Sequence, residues 1–161
     1  MRLTKDEVKG LIEALVKKYE GVFDAPIERL HRGEQFDPPT RKDWEFLERK
    51  FNCSFSPEFV AFAEVIIDYN LPGMLNVTRE GKTNGDPTFD WWYDREMADG
   101  WNPDLIPFIA VGNGDFFCLS ASQGPKSGVY YVDHGAGEEQ QITGSFAEWI
   151  EQMEKFLYGE E

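Results

Sequence analysis

The sequence is poor in the residues that build disulfides and metal sites. It has two cysteines, Cys53 and Cys118, and two histidines, His31 and His134, in 161 residues. No Cys-x-x-Cys or His-x-x-x-His spacing is present, so we expect buried thiols and neither a metal centre nor a disulfide framework. No apolar run approaches the roughly 20 residues that cross a bilayer, and the N-terminus lacks a signal-peptide core. These absences predict a cytoplasmic protein.

Basic residues are scarce in the second part of the chain. Residues 1–50 contain eleven basic and eleven acidic residues, whereas residues 51–161 contain five basic and nineteen acidic ones, which accounts for the net charge of −14. A field of this sign repels nucleic-acid phosphates and anionic membrane surfaces, and it attracts basic proteins. The alternative is that the acidic surface only keeps the protein soluble. Composition does not decide between the two.

Three helices are predicted in the first 70 residues, each from a capping signal followed by apolar residues at helical spacing. Thr4 and Glu7 form a capping box for the first helix. Thr40 caps the second helix, and Ser56 caps the third, which has Pro57 at its first helical position.

A domain boundary is predicted between the first two of these helices. A loop of more than fifteen residues, polar and proline-containing at its end, separates them. Residues 1–39 are therefore predicted to be an appended arm, and residues 40–161 form the main domain. The apolar face of the arm would dock either on the domain or on a partner.

The stretch 105–132 contains apolar runs separated by turn residues, which is typical of antiparallel hairpins. Its Asn113-Gly114 pair is the strongest short-range hairpin signal, because a type I′ turn needs positive φ at both central residues. Residues 74–77 form a further short strand candidate. The sequence therefore predicts a sheet built mainly from hairpins.

Helices precede and follow this sheet. Residues 88–100 are predicted to form a helix, whose inner face carries Phe89, Trp92, Tyr93 and Met97 at spacings of three to four. Ser145 with Glu148 forms a capping box for a closing helix. The strands follow one another through hairpins and do not alternate with helices. The predicted fold class is thus α+β, with N-terminal helices, a mostly antiparallel hairpin-built sheet, and a closing C-terminal helix.

Two segments resemble catalytic or ligand motifs and lack the parts that such motifs need. Asp133 and His134 are adjacent on a strand, so their side chains point to opposite faces and do not form a catalytic pair. Residues 112–115 lack the lysine and the following helix of a phosphate cradle. We expect a hairpin turn there, with Asp115 exposed beside it for a cationic partner. The sequence predicts no enzyme and no cofactor.

The segment from residue 90 to residue 101 combines tryptophans with carboxylates. Trp91 and Trp92 lie about 100° apart on a helix, so they cannot both face inward. We expect Trp91 to lie exposed beside acids, a composition typical of interfaces with basic partners. The alternative is that the aromatic residues form a small secondary hydrophobic cluster and that the acids only face solvent. The candidate partner-binding residues are Asp90, Trp91, Asp94, Asp99, Trp101, Asp104 and Asp115.

Four segments of the chain match the motifs of one family in order and spacing. The segments are Trp44 to Glu48 with Phe51-Asn52, Phe55 to Phe62, Leu105 to Phe108 with Gly112 to Asp115, and Val129 to His134 with the helix from Ser145 to Trp149. On these residues the chain resembles the SUKH superfamily, in the group related to the yeast cell-wall-synthesis regulator Smi/Knr, over residues 40–157. It departs from the family pattern at Ser56, where leucine is usual, and in residues 78–104, which are expanded.

The resemblance implies an α+β domain that has no recognised catalytic centre. Bacterial members of the family are regarded as immunity proteins that neutralise polymorphic toxins, many of them nucleases. The hypothesis is then a non-catalytic antidote that occludes a basic toxin domain with an acidic surface and needs no metal, nucleic acid or membrane. The alternative is a regulatory scaffold that binds a cellular, non-toxin partner. The sequence leaves the oligomeric state open.

Overall fold

The computed structural model describes residues 2–18, 37–67, 69, 73–79, 87–97, 100, 102–111, 114–133 and 137–158. Within these ranges four helices come first: α1 (Lys5–Lys18), α2 (Arg41–Phe51), α3 (Pro57–Ile66) and α4 (Phe89–Met97). Four strands follow: β1 (Leu105–Ala110), β2 (Phe116–Ser120), β3 (Val129–Asp133) and β4 (Glu138–Thr143). The 3-10 turn Gly124–Lys126 lies between β2 and β3, and α5 (Phe146–Glu151) and α6 (Met153–Tyr158) end the fold. The predicted α+β class is confirmed.

The predicted helix starts are confirmed by their capping contacts. The backbone N–H of Glu7 donates to Thr4 Oγ1 at 3.2 Å, and the backbone N–H of Thr4 donates back to Glu7 Oε1. Ser56 Oγ accepts from the backbone N–H of Phe59 at 3.0 Å. Thr40 starts α2 through a reciprocal capping box. These caps satisfy donors that a helix leaves unpaired in its first turn.

The sheet has the strand order β1-β2-β3-β4, with every neighbouring pair antiparallel. The β1–β2 hairpin is confirmed, but its loop differs from the predicted two-residue turn. The backbone N–H of Val111 donates to the carbonyl oxygen of Asp115, which leaves three residues between them. Gly114 has a φ of 96°, as the end of such a loop requires. Asn113 lies outside the described residues.

Three further elements differ from the sequence prediction. The candidate strand at 74–77 forms only isolated bridges, Met74 with Ile109 and Asn76 with Thr88. The closing helix is divided at Gln152, whose φ of −110° and ψ of 10° interrupt the helical path between α5 and α6. Strand β4 was not predicted, because its exposed Glu-Glu-Gln-Gln start has no apolar alternation.

Apolar side chains cover both faces of the sheet. The inner face packs on the main core, whose fully buried aromatic members are Phe59, Phe62, Phe89, Phe108, Phe146 and Trp149. The outer face carries a smaller buried cluster of Leu105, Phe116, Cys118 and Val132. No helix within the described part of the chain has the length and apolarity to cross a bilayer.

Helix α1 packs against α3 and contributes to the main core. Val8 and Ile12 on its apolar face are fully buried. The apolar face of this helix is therefore covered by the chain itself. The predicted domain boundary after residue 39 stays a prediction.

Candidate functional site

Helix α4 lies along one edge of the sheet and contacts both apolar clusters. Phe89 enters the main core, with its ring centroid 5.8 Å from that of Phe59. Trp92 packs on Phe116 of the outer cluster at 5.5 Å, and Tyr93 packs on Phe51 at 4.8 Å. The prediction that these three side chains form the inner face of the helix is confirmed. The side chain of Met97, which was predicted with them, is not among those described.

Trp91 lies on the opposite, solvent-facing side of α4. Its side chain is 48% exposed, the largest exposure of any large hydrophobic residue in the described ranges. The ring is edge-to-face with that of Trp92 at 5.2 Å, and the guanidinium of Arg95 lies 5.4 Å from both ring centroids. These contacts hold the indole in place before any partner arrives, which lowers the entropy cost of using it in binding.

Asp90 is held by an ion pair with Arg79, a residue that precedes α4 in the chain. Arg79 Nη1 is 2.6 Å from Asp90 Oδ1, and only 14% of the aspartate side chain is exposed. Burial alone would raise the pKa of this carboxyl, but hydrogen bonds from Arg79 and Thr88 outweigh it and lower the pKa. Arg79 also lies 3.6 Å over the ring of Phe46. Asp90 is therefore charged and anchored to α2 through this arginine.

Asp94 has a basic partner as well, but it is open to solvent. Lys50 Nζ lies 2.9 Å from Asp94 Oδ1, and 60% of the aspartate side chain is exposed. Between residues 86 and 115 the sequence has seven acids and one base, so it predicts a strongly acidic segment. The fold brings Arg79 and Lys50 to that segment, and its anionic character is correspondingly reduced. Sequence reasoning missed both residues because neither lies near α4 along the chain.

The remaining candidate residues have other places in the structure. Asp104 Oδ2 accepts from Ser120 Oγ at 2.5 Å, and its Oδ1 accepts from the backbone N–H of Ser122, so this carboxylate ties the end of β2 to the chain before β1. Asp115 is buried and accepts from the hydroxyl of Tyr131 at 2.5 Å. The expectation that Asp115 is exposed beside the turn is wrong. Asp99 and Trp101 lie outside the described residues.

A shallow cleft of about 550 Å³ runs along the exposed side of α4. It is lined by Arg79, Thr88, Asp90, Trp91, Asp94 and Arg95. We call this lining the α4 surface. It presents one exposed indole within a rim of two carboxylates and two guanidinium groups. Such an arrangement suits a protein contact, in which a central aromatic residue is surrounded by polar groups.

The cysteines have the character of core thiols. Burial, helped by the charges of Glu48 and Asp104, raises the pKa of Cys53 to about 11, and burial raises the pKa of the fully buried Cys118 as well. Both thiols therefore stay protonated and are poor nucleophiles near neutral pH. Among the described residues, no group of three or more histidine, cysteine, aspartate or glutamate side chains is placed to hold a metal ion. His31 and His134 are not among the described residues.

Comparison with known proteins identifies the family. The SUKH_5 family model, described as SMI1-KNR4 cell-wall, matches residues 12–156. The chain belongs to the SUKH family. The match begins within α1 and ends within α6, so the SUKH region includes every strand and the whole of α4. No match was found among curated proteins.

Proposed function

We propose that this SUKH protein is a cytoplasmic immunity protein that acts by binding a polymorphic toxin and covering its working surface. The observation that carries the proposal is the exposed, prearranged Trp91 within a charged rim on a SUKH domain. Large exposed aromatic residues that are already held in place are typical centres of binding energy. The function is binding, without a catalytic step.

The contact would use short-range and long-range forces in different places. Trp91 would enter an apolar recess of the toxin, while Asp90 and Asp94 would form contacts around it. Asp99 and Trp101, the other candidates from the sequence, would also bind the toxin. A toxin lysine or arginine would compete with Lys50 for the exposed Asp94. Asp104 and Asp115 would support this surface by fixing the loops around β1 and β2. The net charge of −14 would steer a basic toxin, such as a nuclease, toward the protein before contact.

The decisive experiment measures binding to the product of the adjacent gene. The two proteins are first co-purified, and the affinity of Trp91→Ala is then compared with that of wild type. We expect a loss of about 30-fold or more, as truncation of a central aromatic contact gives. Val111→Ala is the matched control, because Val111 is also an exposed large hydrophobic residue, at 43%, and lies outside the α4 surface. Equal affinities for wild type and Trp91→Ala would reject this surface.

A second experiment separates steering from contact. Asp94→Lys and Asp6→Lys change the net charge equally, but Asp6 lies on the exposed first turn of α1. Both variants should slow association at low salt, since both reduce the long-range attraction. Only Asp94→Lys should also speed dissociation. If the two variants have the same dissociation rate, Asp94 is not at the contact.

The alternative function is a regulatory scaffold for a cellular, non-toxin partner. The ion pairs of Asp90 with Arg79 and of Asp94 with Lys50 favour it, because they leave the α4 surface less acidic than a strongly basic partner would require. A large secreted toxin encoded directly upstream would support immunity. A location away from any toxin gene would support the scaffold.

A further inference from the structure

The two edges of the sheet differ in how their backbone groups are used. At the β1 edge, the backbone N–H of Leu75 donates to the carbonyl oxygen of Phe108, and that of Ala110 donates to Gly73. At the opposite edge, β4 pairs with β3 on one side, and no described segment pairs with its other side. An end strand of this kind presents alternate N–H and C=O groups to solvent. Within the described part of the chain, the β4 edge is therefore open to another strand.

The side chains along this edge are acidic on both faces of the sheet. Glu138 lies directly opposite Asp133, and Glu139 lies opposite Val132, so the two glutamates point to opposite faces. Both glutamates and the two glutamines that follow them are exposed. Glu139 accepts from Asn102 Nδ2 at 2.9 Å, and an added lysine or arginine would give each exposed glutamate a cationic neighbour.

We infer that the free edge of β4 binds an extended, lysine- or arginine-rich segment of a protein partner, which adds to the sheet as a fifth strand. Backbone hydrogen bonds would supply the pairing, and alternate basic side chains would reach Glu138 on one face and Glu139 on the other. A second copy of the chain is a poorer occupant, because each copy carries a net charge of −14. The site lies at the opposite sheet edge from α4, so it stands independently of the proposed function.

The test uses a synthetic peptide of alternating threonine and lysine as the probe. Its control is the same peptide with the central amides N-methylated, which keeps the charge and blocks strand pairing on both peptide edges. NMR hydrogen exchange on the full-length protein should show alternate β4 amides slowed at least tenfold by the unmodified peptide. The methylated peptide should bind at least tenfold more weakly. Added salt should weaken the unmodified complex.

Variants locate the site and keep the test independent of any one substitution. The double variant Glu138→Lys with Glu139→Lys should lose at least tenfold in peptide affinity. Asp6→Lys with Glu151→Lys makes the same charge change at exposed helical positions and should lose less than threefold. Equal losses in the two double variants would reject the edge as the site.

Three further results would overturn the inference. Equal binding of both peptides would mean that charge alone attracts them, without strand addition. Protection of β4 that grows with protein concentration in the absence of peptide would identify a second copy as the occupant. No binding of either peptide would mean that the glutamates only guard the edge against pairing.

Discussion

The main core and the α4 surface place the same kind of side chain, tryptophan, in opposite surroundings. In the core, the ring of Trp149 packs on those of Phe62, Phe108 and Phe146 at centroid distances of 5.4 to 5.8 Å. On α4, the neighbours of Trp91 among the described residues are one ring, that of Trp92, and one cation, Arg95. A tryptophan surrounded by rings stabilises the fold, whereas one within a charged rim is available for a partner. The neighbours, more than the residue type, decide the role.

The largest difference in stability between the two regions is expected when each of the two tryptophans is replaced by alanine. Trp149→Ala should lower the free energy of unfolding by about 3–5 kcal/mol, because the side chain is fully buried and its loss leaves a cavity. Trp91→Ala should change it by less than about 0.5 kcal/mol, as surface substitutions do. Urea unfolding of both variants measures the difference. Similar losses would mean that α4 belongs to the core.

The glycine that directly precedes β3 should be the next most sensitive position. A methyl group on Gly128 would overlap the backbone oxygen of Thr143 and the side chain of Gln141. Gly128→Ala should therefore cost about 1–3 kcal/mol by overpacking. Gly10→Ala is the matched control, because a methyl group there has open space on an exposed helix face, and it should stabilise by about 0.5–1 kcal/mol. Urea midpoints of the two variants should move in opposite directions.

The two ion pairs of α4 should differ in strength according to their exposure. Asp90→Asn should cost about 1–2 kcal/mol, because the carboxylate is mostly buried and bonded to Arg79. Asp94→Asn should cost less than about 0.5 kcal/mol, because its pair with Lys50 is open to solvent. Thermal or urea unfolding of the two variants tests which of them loses more stability. A larger loss at Asp94 would show that Lys50, and not Arg79, fixes α4 to the domain.

The smallest effect should appear at high pH, on the inner face of the sheet. Burial and the hydrogen bond to Asp115 raise the pKa of Tyr131 from 10.0 to about 12. The unfolded chain releases this proton at lower pH than the folded protein, so its contribution to stability is complete below pH 10 and is lost as the pH rises through about 12. Wild type should lose more stability across this range than Tyr131→Phe. Parallel pH profiles for the two proteins would contradict the assignment.

Much of the fold could be predicted because its signals are local. Thr4, Thr40, Ser56 and Ser145 mark helix starts by side-chain bonds that span three residues, and those bonds depend on the adjacent chain alone. The hairpin between β1 and β2 could also be predicted, because its signal comes from residues close together in the chain. Strand β4 was missed because its polar residues carry no periodic apolar signal, and its pairing with β3 alone defines it. The break at Gln152 was missed as well, since the apolar spacing continues across it.

The sequence by itself determined the helix caps, the hairpin order, the α+β class and the family motifs, because residues close together in the chain produce each of these features. Only the tertiary structure decided which partners the acids of the candidate site have. Arg79 pairs with Asp90, Lys50 of α2 pairs with Asp94, and Tyr131 of β3 donates to Asp115, which directly precedes β2. Such pairs depend on packing between distant segments, and counting charges along the chain does not find them. The exposure of Trp91 was predicted and is confirmed, whereas the place of β4 at the end of the described sheet emerges only from that packing.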